Sequence, residues 1–138
     1  MDWHVGRLDH AAIAADNTDA MVAWYKKVLG LEVAVEAGPN PPQKQKVYLI
    51  GPPGGNGLTA GSMLEVMPRN DNPRNNRASH DPGHSHTAWH VTNFDAALAH
   101  LKANNVKFMS EVIKAIGGGR IISFEDCEGN MTQIMERL

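Results

Sequence analysis

Apolar and polar positions along this chain change period in a definite order, and then go through that order a second time. RLDHAAIAA, residues 7–15, alternates loosely with the two-residue period of a strand. NTDAMVAWYKKVLGLEV follows with the helical spacing of Met21, Val22, Trp24, Tyr25, Val28 and Leu29. Asn17 or Thr18 offers a cap oxygen before it, and Gly30 stops it. KVYLIG and GSMLEVM then return to strand character. The second half begins again with SHTAWHV as a strand. NFDAALAHLKANNVKF is its helix, capped by Asn93, with Ala97, Leu98 and Leu101 on a buried stripe and Asn104 and Asn105 at the end. KFMSEVI, GRIISFED and EGNMTQIMERL complete it as strands, the last after a turn at Glu128-Gly129-Asn130. The pattern reads as an internal duplication: a single domain over 1–138, made of one repeat at about 5–67 and another at about 84–138.

Four of these strand segments each hold one potential metal ligand: His10, Glu65, His86 and Gln133. Taken singly, a His or Glu on a strand is more often a hydrogen-bonded structural residue. Strand side chains alternate between faces, so His10 shares a face with Ala12, Glu65 with Met63 and Met67, His86 with Ala88, and Gln133 with Met131 and Met135. Ile13, Leu64, Val66, Trp89, Val91 and Ile134 take the opposite faces, which suits packing against two helices. The four polar residues therefore point away from the helix layer. A surface of Met and Ala around a few polar groups is what a small-ligand site needs.

Strand, helix and three strands, twice over, resembles the vicinal oxygen chelate superfamily of glyoxalase I, bleomycin-resistance proteins, fosfomycin-resistance enzymes, methylmalonyl-CoA epimerase and extradiol dioxygenases. DHAAIAADNTDAMVAWYKKVLGLEV is similar to the family's opening strand and helix, and GGGRIISFEDCEGNMTQIMERL to its closing hairpin. The resemblance implies an α+β fold of two tandem βαβββ repeats, forming a cupped, mostly antiparallel sheet with helices on the outer face. It also implies that His10, Glu65, His86 and Gln133 are metal ligands, because the family places its ligands at these positions. Two imidazoles, a carboxylate and an amide oxygen suit one divalent ion such as Zn, Ni, Co, Fe or Mn. The alternative is a degenerate site that keeps the residues without the metal.

The last strand departs from most of that family, where it supplies Glu. Here GNMTQ supplies Gln133, and Glu136 has the opposite parity, so it is expected at the helix side or the strand end. A ring-cleaving dioxygenase suffers most, since its triad of two His and one carboxylate takes the carboxylate from this strand. The epimerase branch resembles the present set with the halves exchanged, having His and Gln in the first repeat and His and Glu in the second.

The isomerase and epimerase branches share removal of a proton next to a carbonyl, with the metal holding the resulting enolate. By that resemblance the chain is expected to be a metal-dependent lyase, isomerase or epimerase with Glu65 as base. His90 shares the face of His86 and could act as a second acid, although a structural His is the commoner reading. The competing class is a metal-free sequestering protein of the bleomycin-resistance kind.

Substrate signals are weaker. PRNDNPRNNRASHDPG, between the repeats, carries Arg69, Arg74 and Arg77, which could recognise a carboxylate or phosphate or could belong to a solvated linker. The glyoxalase pattern has Asn four residues after the second-position Glu; Arg69 stands there, which disfavours glutathione. His84 reads as a rim residue. GPPGGNGLTAG reads as a mobile rim, and Gly117 to Gly119 as a flexible strand connection or a close backbone approach, the former being the commoner case.

Charge and cysteine content set the outer limits. Thirteen basic against fifteen acidic side chains leave no basic stripe for nucleic acid. The single cysteine, Cys127, excludes an intrachain disulfide and suggests no nucleophile dyad. No apolar signal core or membrane span is evident, so a reducing cytoplasm is the default expectation. A homodimer is expected by analogy, with the repeats paired within one chain or exchanged between two.

Overall fold

Asn17 accepts a hydrogen bond from Ala20 N at 3.0 Å, and Gly30 adopts a left-handed φ of 68° that closes the far end with its N–H on the Lys26 carbonyl. Between them runs helix α1, Thr18–Leu29. The same device starts helix α2, Phe94–Ala103, where the Asn93 side chain accepts from Ala96 N at 3.0 Å. Both caps satisfy backbone donors that a helix leaves unpaired in its first turn.

The computed structural model describes residues 2–54, 62–74 and 76–138, and its contacts divide the chain into two units, Met1–Asp71 and Asn72–Leu138. Of GPPGGNGLTAG, residues 51–61, expected as a mobile rim, residues 55–61 lie outside the described residues.

In the first unit β1 (His10–Ala15), α1, β2 (Glu32–Ala37), β3 (Val47–Gly51) and β4 (Met63–Pro68) follow in sequence. The sheet order is β1-β4-β3-β2. β1 runs parallel to β4, and the remaining pairs are antiparallel. Helix α1 packs on β3 and β4. Met21, Tyr25 and Val28 from the helix are buried, as are Ile50, Leu64 and Val66 from the sheet. Removing one such aliphatic side chain from water contributes roughly 1.5–3 kcal/mol. The Tyr48 hydroxyl adds a polar tie between β3 and α1, donating to Asp19 Oδ1 at 2.5 Å.

The second unit repeats the plan with β5 (Thr87–His90), α2, β6 (Lys107–Phe108), β7 (Ile113–Lys114), β8 (Arg120–Glu125) and β9 (Met131–Met135). Its order is β5-β9-β8-β6, with β7 also on β8; β5 and β9 are parallel and the other pairs antiparallel. Phe94, Leu101, Ile122, Phe124 and Ile134 form its core, and α2 packs on β9. Two open, mostly antiparallel sheets, each with its own helix, are the α+β plan expected from the repeat pattern.

Three local expectations needed revision. KFMSEVI is two short strands rather than one, because Ser110 Oγ takes the Ser123 N–H at 3.0 Å where a ladder carbonyl would have stood. On α2 it is Phe94 and Leu101 that are buried, while Ala97 and Leu98 are only half-covered. Gly117 to Gly119 all have positive φ, and a Cβ on Gly119 would lie 2.1 Å from the Glu136 carbonyl oxygen. Close passage of one backbone past another, rather than flexibility alone, therefore requires glycine at 119.

Candidate metal centre

Parallel pairing of β1 with β4 sets His10 opposite Met63 and Ala12 opposite Glu65. His10, Ala12 and Ala14 lie on the more exposed face of β1, as parity predicts. From one pleat back, the His10 ring reaches across, and Nε2 comes within 3.0 Å of Glu65 Oε2. Its other nitrogen, Nδ1, is 2.8 Å from Asp9 Oδ2. The hydrogen bond with Asp9, and after it the Glu65 charge, hold the imidazole above its ordinary pKa against a partial desolvation.

The second unit repeats this register. Thr87 stands opposite Thr132 and Ala88 opposite Gln133, so in both units an alanine two residues past the histidine faces the carboxylate or amide. Gln133 is buried and donates from Nε2 to Ser123 Oγ at 3.0 Å, its antiparallel neighbour on β8. His86 lies just before β5 and is exposed, with Nδ1 2.8 Å from Ser85 Oγ. Thr87 and Thr132 join hydroxyls at 3.0 Å beside it and pin the start of the parallel pair.

Donor chemistry and spacing in the first unit fit a divalent ion. Two ligands about 2.1 Å from an octahedral ion and at right angles lie about 3.0 Å apart, and the His10–Glu65 separation is 3.0 Å. The first unit brings together two of the expected donors, His10 and Glu65; in the second, His86 and Gln133 hold separate partners, Ser85 and Ser123. Among the described residues no three His, Cys, Asp or Glu side chains converge as ligands.

The remaining candidates hold other partners. Arg69 donates to Asp16 Oδ1 at 2.8 Å and to the Asn70 carbonyl at 2.9 Å. Arg74 pairs with Glu128 at 3.0 Å. Arg77 donates to the carbonyls of Asp81 at 2.7 Å, Pro82 at 2.9 Å and His84, winding segment 77–84 around its guanidinium. Arg74, Arg77, His84, Ser85, Glu128 and Met131 are among the residues lining a cavity of about 660 Å³ in the second unit. His90 is exposed on the face of Ala88, opposite Trp89. Glu136 binds Arg120 through both oxygens, at 2.6 and 3.1 Å, and Arg120 reaches Asp95 on α2, so Glu136 sits on the helix side as its parity required. The Cys127 thiol is pushed up to about 11 by partial burial and then by the Asp126 and Glu128 charges, which is the opposite of nucleophile activation.

Asp9, Ser85 and Ser123 were not among the residues singled out from sequence. Alternation along a strand would have turned Asp9 away from His10, but β1 begins only at His10, and the residue before it is free of the pleat.

The sequence profile of the Glyoxalase/Bleomycin resistance protein/Dioxygenase superfamily matches residues 7–134. The chain belongs to that superfamily. It is 31% identical over 140 residues to human mitochondrial methylmalonyl-CoA epimerase, a match covering 96% of this chain and 74% of that protein. Trypanothione-dependent glyoxalase I from Leishmania major has the same fold, with TM-score 0.70 and 18% identity over 96% of this chain and 87% of that one. So does the antibiotic-binding protein TnmS3 from Streptomyces, with TM-score 0.66 and 16% identity over 99% of both chains. No helix among the described residues is long and apolar enough to cross a membrane.

Proposed function

We propose that the protein is a divalent-metal-dependent epimerase that moves a proton at the carbon next to a thioester carbonyl, with methylmalonyl-CoA or an acyl-CoA of that type as substrate. The observation that carries the reading is the His10 Nε2–Glu65 Oε2 contact at 3.0 Å on adjacent parallel strands. Likeness to methylmalonyl-CoA epimerase supports the substrate class. His10, Glu65, His86 and Gln133 are the proposed ligands, in a homodimer of the kind common in the family. When bound, the cation supplies Lewis acidity toward a carbonyl oxygen, worth several kcal/mol as charge develops there.

The chain's own residues do the rest. Glu65 is acceptor-only when ionised, half-buried, and able to take a proton from carbon at its edge of the site. Ser123 holds the buried Gln133 amide through its Nε2. His90, exposed on the β5 face shared with Ala88, is the proposed donor for the opposite face of the carbon. Arg74, Arg77 and His84, around the cavity of the second unit, are proposed to meet the non-reacting part of the substrate, and Arg69 to shape the segment leading there.

The test is proton exchange at the carbon between the two carbonyls of methylmalonyl-CoA in heavy water, followed by NMR, alongside metal content by elemental analysis. Wild type should incorporate one deuterium per turnover and hold about one divalent ion per chain. Glu65→Gln should lose exchange by roughly 10²- to 10⁴-fold with an unchanged fold. Undiminished exchange in that variant would remove Glu65 as the base. A metal-free protein, even after incubation with Zn, Ni, Co, Fe and Mn, would favour a sequestering protein instead, a reading that the amide at position 133 keeps in play.

A further inference from the structure

We propose that Asp9 is a positioning residue that fixes the His10 ring in the tautomer with its proton on Nδ1, leaving the Nε2 lone pair turned to Glu65. As a statement about metal affinity this rests on the function proposed above; as a statement about the tautomer it stands alone.

His10 lies between two carboxylates, with Nδ1 at 2.8 Å from Asp9 Oδ2 and Nε2 at 3.0 Å from Glu65 Oε2. Ionised carboxylates only accept, so each competes for the single proton of a neutral imidazole. If Glu65 held it, the proton would occupy the edge between Nε2 and Oε2 and shut a cation out of it. With the proton on the Asp9 side, both donors on that edge are lone pairs facing one space. An imidazole whose far nitrogen donates to a carboxylate is also the more basic ligand. Arg7 stands 3.8 Å from the other Asp9 oxygen, a loose contact that leaves Oδ2 as the oxygen turned to the ring.

The second unit shows what the carboxylate adds. His86 Nδ1 has a neighbour in the same place, Ser85 Oγ at 2.8 Å, but a hydroxyl both donates and accepts and so selects neither tautomer. Nor does His86 need selection in the same way, for the polar residue in the Glu65 position of its own unit is the neutral Gln133 amide, which donates to Ser123 and brings no second carboxylate. Asp9 thus stands only in the unit where a second carboxylate contests the ring proton.

The test is long-range proton–nitrogen NMR of the imidazoles in the metal-free protein, at a pH high enough that His10 carries one ring proton, for wild type, Asp9→Ala and Asp9→Asn. The expected result is Nδ1–H in wild type, a shift to Nε2–H in Asp9→Ala, and recovery of Nδ1–H in Asp9→Asn, whose amide oxygen still accepts; the His86 signals should not move. An Nδ1–H ring in Asp9→Ala, or an Nε2–H ring in wild type, would overturn the proposal. Calorimetry with Co²⁺ supplies the second reading: affinity should fall roughly 10- to 100-fold in Asp9→Ala and by much less in Asp9→Asn. If wild type takes up no Co²⁺ or Zn²⁺ while the tautomer shift occurs as expected, the metal-dependent function fails and the role of Asp9 remains.

Discussion

Arg120 holds both carboxylate oxygens of Glu136, through Nε at 2.6 Å and Nη2 at 3.1 Å. Its third hydrogen bond goes to Asp95 on α2 at 2.9 Å, and the guanidinium lies 4.7 Å from the centre of the Phe94 ring. A planar fork matched this way to one carboxylate is a strong and directional pair. The acid nearest in sequence to Gln133 is therefore committed to the helix side, and the last strand offers an amide at position 133.

Placing a carboxylate there should have two opposed effects. Gln133→Glu buries a charge beside Ser123 in the metal-free protein, which should cost about 1–3 kcal/mol of stability. With the proposed ion present, the same charge should tighten binding. Thermal unfolding with and without Zn²⁺ should show a lower melting temperature for the free variant and a larger metal-induced rise than in wild type.

Ser123→Ala tests orientation without changing charge. The buried Gln133 loses the hydroxyl that holds its amide in place. Metal affinity should drop severalfold, with the loss of stability held to about 1–3 kcal/mol, as read by calorimetry and urea unfolding.

The Arg120 hydrogen bonds hold the Glu136 carboxyl below its ordinary value. A carboxylate whose folded pKa is depressed contributes stability that is full above its unfolded pKa and is lost as pH falls through the folded one. Arg120→Met should therefore flatten the acid side of the stability profile and leave the fall at alkaline pH unaltered. Urea midpoints measured from neutral pH down into the acid range would show whether the wild-type and variant curves converge as they should.

At Gly119 the obstruction is backbone. A Cβ would meet the Glu136 carbonyl oxygen at 2.1 Å, with φ at +87°. Neither the angle nor the carbonyl can yield cheaply, because Glu136 N also bonds the Arg120 carbonyl at 3.0 Å. Gly119→Ala should destabilise by about 1–3 kcal/mol or more, whereas Gly118→Ala, with open space around it, should suffer only from its φ.

Much of the plan was legible because it depends on short-range chemistry. Asn17, Gly30 and Asn93 act locally and ended helices where their side chains and φ preferences dictated. The faces of His10 and Ile13 followed from a period of two. What escaped notice depends on where regularity stops. Asp9 and Ser85 contact the rings next to them because neither lies in a strand, and the site of a strand's first residue is set by pairing with a distant partner rather than by its own composition. Ser123 is brought opposite Gln133 by the hairpin register, a long-range pairing that the composition of neither strand announces. The arginines, which by type could bind an anion or belong to a solvated linker, have carbonyl and carboxylate partners that only the chain path supplies.

Segment 77–84 draws its shape from a cation rather than from an oily interior. Three carbonyls converge on Arg77, and Gly83 leaves room for the guanidinium, whose nearest atom would be 3.3 Å from any Cβ there. Such a wrap has no apolar stake in water, so heating or mild urea that loosens the sheets need not loosen it in step. Its geometry is instead hostage to one side chain, and a protease that ignores wild type should cut this wall of the cavity once Arg77 is shortened.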